Sequence, residues 1–160
     1  GEYIKRLPLD ELYARALPFM QNKPWYGQKH EEKFLKRVLI IEQERLAKLS
    51  DIGEQNPFFF SDTIEYDRGL LRWKENSFEE TRIALAHALD ILEKQTEDVW
   101  HDHTCLEKLL LEAAGEQRGD FLWPLRVALS GEQKSPSPFD CAWVLGREVS
   151  LARIRQALQK

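Results

Sequence analysis

Residues 124–146 read PLRVALSGEQKSPSPFDCAWVLG, and this stretch carries the signals that end one helix and begin the next. Gly131 follows an apolar helical run, and a glycine in that place commonly ends a helix. Ser137, Pro138 and Asp140 supply a serine cap, a proline at the first helical position and an acid in the first turn. Gly146 then terminates the second helix. The stretch therefore predicts two consecutive helices joined by a Ser-Pro turn.

The rest of the chain carries the same helical pattern, because apolar residues recur at three- and four-residue steps and no alternating pattern persists. The longest run covers residues 30–49. A capping box at Ser77 and Glu80 opens a helix that runs to about Glu97. The predicted fold class is all-α, with two small packed helical subdomains over residues 1–75 and 76–160.

Further capping and helix-ending residues locate the later helices. Thr104 repeats the capping signal ahead of an apolar run, and Gly115 is placed to end that helix. Asp120 is the expected cap of the helix that ends before Gly131, with Pro124 near its first turn. Ser150 is the expected cap of the last helix. Most of the five tryptophans are expected in the core.

Composition sets limits on the class of protein. A chain of 160 residues with 42% hydrophobic content can bury a core without disulfides. Two cysteines support neither a disulfide framework nor a cysteine-based zinc site, so a reducing cytoplasm is expected. No stretch approaches the length of apolar chain that crosses a membrane. We therefore expect a cytoplasmic protein without membrane partners.

The charge is unevenly distributed, although its net value is only −4. Residues 1–50 carry +3 (10 Lys and Arg, 7 Asp and Glu) and residues 121–160 carry +3 (6 and 3). Residues 51–120 carry −10 (7 and 17). Because exposed charges more than about 10 Å apart are largely screened at physiological salt, one positive face remains compatible with this composition.

The sequence offers weak candidates for metal binding or catalysis. His101, Asp102, His103 and Cys105 are metal-binding residue types, but consecutive ligands in a polar loop rarely converge on one ion. Paired glutamates fall in first helical turns, where they complement the helix dipole. No glycine-rich phosphate loop or nucleophile motif is present. The expectation is no catalytic residue and no metal site within these residues.

Five short strings, taken in chain order, resemble the carboxy-terminal part of bacterial glutamyl-tRNA synthetases. PLRVALSG followed by SPSPFDCAWVLG is similar to that family's PLR-x-AL-[TS]-G helix and [TS]-P-G-[LP]-F turn. The remaining strings are GEYI at residues 1–4, LPF at 17–19, ERLAKL at 44–49, similar to R-x-x-T-L, and FFFSD at 58–62. The resemblance spans the whole chain, and its carboxy-terminal motif is fairly specific.

The resemblance implies a two-part α-helical region that binds the anticodon of glutamate tRNA. Members are class I ligases whose Rossmann domain, with HIGH- and KMSKS-type signatures, activates glutamate with ATP and Mg²⁺. Neither signature occurs in these residues, so we expect the catalytic domain upstream of Gly1 and no cofactor here. The expected partners are tRNA(Glu) and that catalytic domain. The protein is expected to be a monomer, and these residues alone should not charge tRNA.

The same resemblance assigns anticodon contacts to Arg126 and to the turn formed by Ser135, Pro136, Ser137, Pro138 and Phe139. Unstacked anticodon bases expose their Watson–Crick edges, and a guanidinium offers fixed donors to a pyrimidine. The alternative for Arg126 is a solvated helix arginine, and Phe139 can instead pack the turn onto the core. Ser137 replaces the family's glycine and Pro138 its leucine, which puts close backbone approach and an apolar base contact in question.

Arg45 occupies the place of the family's R-x-x-T-L arginine, which is associated with the third anticodon base, and Lys48 replaces the threonine. The helical pattern places Arg45 beside an apolar stripe, so the alternative is an arginine whose stem covers core and whose head reaches water. A second class of function also stays open. An all-helical domain with an acidic middle could be a protein-interaction module with no RNA role.

Overall fold

The computed structural model describes residues 2–27 and 31–160, and those residues form an all-α fold without strands, which confirms the predicted class. Eight α-helices occur in the described part of the chain: α1 Glu2–Arg6, α2 Leu9–Gln21, α3 Glu32–Glu42, α4 Phe78–Glu93, α5 Glu97–Trp100, α6 His103–Ala114, α7 Arg118–Ser130 and α8 Pro138–Leu158. Short 3₁₀ helices cover Gln43–Arg45, Leu49–Asp51, Pro57–Phe59 and Arg68–Leu71. Gly1 of the GEYI string and His30, the expected start of the longest helix, lie outside the described residues.

The chain divides into two compact units, Gly1–Ser61 and Asp62–Lys160. This division falls earlier than the boundary expected between residues 75 and 76. Residues 62–75 pack with the second unit, because Trp123 Nε1 donates to Leu70 O at 2.9 Å and Leu71 is buried with Leu85 and Val127. Long-range packing of an irregular segment therefore moves the boundary, and the local sequence does not reveal it.

The first unit is built on the contact between α2 and α3. Leu12, Ala16 and Met20 of α2 are fully buried, and Leu35 and Leu39 of α3 are almost so. This is the four-residue spacing of an amphipathic helix that buries one face.

The longest predicted helix is shorter than expected at its carboxy-terminal end. The prediction of helix through residue 49 was wrong, because α3 ends at Glu42 and Leu46 adopts an extended conformation. Tertiary hydrogen bonds are made where the helix ends: Gln43 Nε2 donates to Ile4 O at 2.8 Å and to Leu7 O at 2.9 Å. These bonds anchor α1 and the chain that follows it to the end of α3.

The second unit surrounds α7, which contacts α4, α6 and α8. Its core cluster consists of Leu71, Leu85, Val127, Ala128 and Ala157. Burial along α7 is nearly continuous, so α7 is the central helix of this unit. No helix in the described ranges is long and apolar enough to cross a membrane.

Four of the predicted helix boundaries are confirmed. Ser77 and Glu80 form the reciprocal capping box of α4. Gly115 follows α6 with φ 61°, and Gly131 ends α7 in the left-handed conformation with φ 73°. Ser137 caps α8, since its hydroxyl accepts from Asp140 N at 3.2 Å. Each signal depends on a few adjacent residues, which is why it is readable from sequence.

Three predicted caps were wrong, those at Thr104, Asp120 and Ser150. Asp102, two residues before Thr104, caps α6 by accepting from Cys105 N at 3.1 Å. Asp120 lies in the first turn of α7 and accepts from Asn76 Nδ2 at 2.9 Å, and Pro124 lies in the interior of that helix.

The third wrong cap is Ser150. It lies inside the helical segment that resumes directly after the break at Gly146, where φ is 84° and ψ is 174°.

Candidate nucleic-acid interface

The junction between α7 and α8 brings Arg126 to the predicted Ser-Pro turn. Arg126 Nη1 donates to Ser135 O at 2.9 Å. The chain reverses at Gly131, whose N–H donates to Val127 O at 2.7 Å. Ser130 Oγ donates to Arg126 O at 2.7 Å and so stabilises the last turn of α7. Two motif segments that sequence reasoning treated as one surface are therefore joined by a direct hydrogen bond.

The turn itself is held by local hydrogen bonds. Ser135 Oγ donates to Pro136 O at 2.7 Å, and the Cys141 thiol lies 3.5 Å from the same oxygen. Burial raises the pKa of Cys141 to about 12, so this thiol stays protonated and can donate. Ser137 has φ −59° and ψ 158°, values open to any residue, so a serine fits where the family has glycine.

The side chains of the turn differ in exposure. Pro138 is buried, whereas Ser135, Pro136, Ser137 and Phe139 are half-buried, as is Arg126. Burial of Pro138 suits shaping of the turn better than an apolar contact to a ligand.

The start of α8 also provides one backbone donor. Pro138 has no N–H and the Asp140 N–H is satisfied by Ser137. The Phe139 N–H has no acceptor among the described residues and remains available.

Two half-buried tryptophans lie along α7 before Arg126, and one of them, Trp123, packs against the core cluster of this unit. Trp123 precedes Arg126 by three residues on α7, which places both on one helix face. Trp73 lies 5.3 Å from Trp123 between ring centroids, and Lys74 Nζ is 4.9 Å from the Trp73 ring. Both rings are half-buried. The Trp73 ring packs over Gly119, about two helical turns before Arg126, so this aromatic pair lies apart from the α7–α8 junction.

A buried arginine of α8 donates a hydrogen bond to the carboxy-terminal end of α7, and its burial was not predicted from the sequence. Arg153 of α8 is 3% exposed, and its Nη1 donates to Leu129 O at 2.8 Å. Burial lowers the pKa of this guanidinium. The signal was present in the sequence, because Arg153 is one helical turn before Ala157 on the apolar side of α8.

Arg45 and Lys48 belong to the first unit and are both exposed. Arg45 closes the 3₁₀ helix Gln43–Arg45, and none of the described residues forms a hydrogen bond or ion pair with it. This exposure agrees with a guanidinium that reaches water in either of the two expected roles. Lys48 is extended, with φ −147° and ψ 154°.

A buried carboxylate fixes the segment that carries Arg45 and Lys48. Glu42 is 2% exposed; its Oε1 accepts from Gly53 N and its Oε2 from Asn56 Nδ2, both at 2.8 Å. Burial raises the pKa of Glu42. Its sequence signal was a glutamate four residues after Val38, on the apolar stripe of α3.

We expect Glu42 to make the first unit less stable as pH rises. A carboxyl group with a raised folded pKa binds more protons folded than unfolded, so stability is greatest below its ordinary unfolded pKa and falls as pH rises through the raised value. Glu42→Gln keeps an acceptor for Gly53 N–H but does not ionise. The fall in stability with rising pH should therefore be smaller in this variant. Thermal unfolding across pH 4–8 measures the effect, with exposed Glu44→Gln as the control. Parallel profiles for all three proteins would contradict it.

The candidate metal residues have other roles. Asp102 caps α6, and donation from Cys105 N lowers its pKa. His103 Nε2 contacts Asp140 Oδ1 in the first turn of α8. Within residues 2–27 and 31–160, no three His, Cys, Asp or Glu side chains group so that they could hold a metal ion.

Fold and site together define an all-α domain with a polar and aromatic surface where two helices meet. Residues 11–158 match the model of the family described as anticodon binding domain, so the chain belongs to the anticodon-binding domain family.

The curated relatives are ligases of several bacteria. Glutamate–tRNA ligase 1 of Caldanaerobacter subterraneus subsp. tengcongensis is 28% identical over 99% of this chain and 33% of its own length. Glutamate–tRNA ligase of Dehalococcoides mccartyi is 32% identical over 100% of this chain and 34% of its own length. The chain thus spans about a third of these relatives, in their carboxy-terminal region, and its 160 residues contain no catalytic domain.

A solved structure shares the fold. The crystal structure of a glutamate tRNA ligase from Elizabethkingia meningosepticum, in complex with its amino acid, aligns with a TM-score of 0.78. The alignment covers 99% of this chain and 30% of that one at 17% identity. The all-α fold of this chain therefore also occurs in a solved structure of a glutamate tRNA ligase.

Proposed function

We propose that this chain reads the anticodon loop of glutamate tRNA for an ATP-dependent glutamate–tRNA ligase. The observation that carries the proposal is the hydrogen bond from Arg126 Nη1 to Ser135 O, which joins the α7 arginine to the Ser-Pro turn in one surface. Family membership and relatives that are glutamate–tRNA ligases support it. The same membership favours it over a protein-interaction module.

The surface suits single-stranded bases with pyrimidine edges. One Nη1 hydrogen of Arg126 is used by Ser135, and the guanidinium has five N–H donors in a planar fork, so the others can reach a base oxygen or nitrogen. The Phe139 N–H and the Ser137 hydroxyl add a backbone donor and a side-chain donor and acceptor.

The activity of the ligase requires parts outside these residues. ATP and Mg²⁺ would act in a catalytic domain preceding Gly1, and we assign no cofactor to this chain. We further propose a monomer that works in the cytoplasm, where aminoacylation takes place, with no membrane partner.

The proposal is tested by measuring binding of the chain to glutamate tRNA and to an unrelated tRNA over a range of salt. We expect weak, selective binding that declines with salt, because each phosphate contact on single-stranded RNA adds about 0.7 to the logarithmic slope. No glutamylation is expected from these residues alone. Equal affinity for the two tRNAs would contradict the proposal, and so would glutamate transfer by the isolated chain.

Arg45 gives a prediction about selectivity, since its head is exposed and without a partner among the described residues. We expect Arg45→Gln to leave folding unchanged and to narrow the preference for glutamate over glutamine tRNA by about 1–2 kcal/mol, as for the loss of one good base contact. A third-base cytosine offers acceptors to the guanidinium, whereas guanine presents a donor.

The matched control is Arg15→Gln, which removes an exposed arginine of the same unit that pairs with Glu11 at 2.7 Å. Paired titrations with the two tRNAs separate the outcomes. Equal weakening toward both tRNAs would make Arg45 a phosphate contact, and unfolding would make it structural; either result overturns its role in selectivity.

A further inference from the structure

The segment formed by His101, Asp102 and His103 has no role in the function proposed so far, yet it packs on the start of α8. Four contacts join the two elements, one of them an edge-on pair of the His103 and Phe139 rings with centroids 6.5 Å apart. His103 Nε2 contacts Asp140 Oδ1, the His103 and Trp143 ring centroids are 4.9 Å apart, and Trp143 Nε1 donates to His101 O at 3.3 Å. All of these residues belong to the second unit.

Asp140 is the residue through which this segment can act on the Ser137 cap of the turn. Its backbone N–H donates to the Ser137 hydroxyl at 3.2 Å, so Asp140 occupies the third helical position behind the cap. In a capping box the side chain at that position returns to the cap. Here the Asp140 carboxylate contacts His103 of α6 instead, which ties the first turn of α8 to a second helix.

The electrostatics of this arrangement also matter for a surface that meets RNA. A carboxylate in a first turn is favoured by the helix dipole, but it would repel a nearby phosphate. An imidazole N–H donated to the Asp140 carboxylate uses one of its acceptor sites and lowers the local negative potential. The side chains of His103 and Asp140 are 34% and 24% exposed, so the pair lies at the edge of the surface.

We propose that His103 is a positioning residue, which acts through Asp140 to fix the turn containing Ser135, Ser137 and Phe139 for anticodon binding. The inference rests on the proposed function for its ligand, but the fixing of the turn is a property of the free protein. His103 contacts neither the base nor the phosphate in this account.

The first test measures the turn without RNA. His103→Ala should accelerate hydrogen exchange of the Asp140 and Cys141 amides, whose acceptors are the Ser137 hydroxyl and Ser137 O. His103→Gln should restore slow exchange, because its terminal amide can donate from near the position of imidazole Nε2. Unchanged exchange in His103→Ala overturns the inference whether or not the protein binds tRNA.

The second test measures tRNA binding by the same variants of the chain. We expect His103→Ala to weaken binding of glutamate tRNA roughly 2- to 30-fold, a range typical of residues that act at a distance from the ligand, and His103→Gln to recover most of it. In an Asp140→Ala background, His103→Ala should cause little further loss, because the carboxylate through which His103 acts is then absent. Additive losses would overturn action through Asp140.

The matched control is His101→Gln. His101 is a neighbouring histidine that pairs with Glu97 at 3.5 Å on the exposed side of the segment, and its carbonyl bond to Trp143 does not involve the side chain. In His101→Gln, the hydrogen exchange of the Asp140 and Cys141 amides and the affinity for glutamate tRNA should equal those of the parent chain. If the parent chain does not bind glutamate tRNA, the proposed function fails, while the exchange result still decides whether His103 fixes the turn.

Discussion

Arg126→Ala is expected to weaken binding of glutamate tRNA by about 1–3 kcal/mol, the range for loss of a bidentate base contact. The substitution removes the donors that would reach the base and also the hydrogen bond to Ser135 O that joins α7 to the turn. Both losses act in the same direction. Fluorescence or calorimetric titration at fixed salt measures the change, and helicity checks that the variant is folded.

Two further variants separate the parts of this effect. Arg126→Lys retains the charge and a donor for Ser135 O but not the planar fork, so it should recover only part of the affinity. Arg155→Ala, which removes an exposed α8 arginine paired with Glu93 at 3.0 Å, is the control and should bind normally. If Arg126→Ala binds as tightly as the parent, Arg126 is a solvated helix arginine.

Trp100→Ala is expected to give the largest loss of stability, about 3–5 kcal/mol from lost burial and the cavity left behind. Trp100 is 1% exposed at the end of α5, which packs against α6 and α8. It immediately precedes the segment that contacts the start of α8. Chemical denaturation monitored by far-UV circular dichroism measures the change in the free energy of unfolding.

Trp100→Phe should be much milder for a specific reason. Trp100 Nε1 is buried, and no acceptor for it is found in the described part of the protein. An unpaired buried donor costs about 1–3 kcal/mol, so removing it offsets part of the lost contact area. A Phe variant as unstable as the Ala variant would contradict this account of the indole.

Local signals explain which features of the fold were predictable. The caps at Ser77 and Ser137 and the glycines at 115 and 131 depend on a few neighbouring residues, and the structure confirms them. Asp102 and Thr104 precede the same apolar run, and either side chain can accept from an amide two or three residues on, so the local pattern does not separate them.

Tertiary contacts explain the features of the fold that were not predictable from the sequence. The end of α3 coincides with a bond that Gln43 donates to α1 and one that Gly53 N–H donates to Glu42, and sequence periodicity does not reveal such partners. Likewise, the packing of residues 62–75 with α7 depends on Trp123, about fifty positions later in the chain.

The candidate site was predictable in part. The resemblance named Arg126 and the Ser-Pro turn, and the structure brings Arg126 to Ser135. It did not name Glu42 or His103, since their roles arise from contacts with distant residues. The anticodon contacts of all the named residues remain predictions.

The central claim is that this chain reads anticodon bases, and it is tested most directly by changing only those bases. Affinity is measured for glutamate tRNA and for the same transcript with its three anticodon bases replaced, at one salt concentration. Because the phosphates are unchanged, the comparison isolates base recognition. We predict that the replaced transcript binds about tenfold more weakly or worse, as expected when at least one good base contact is lost. Equal affinities would contradict the account.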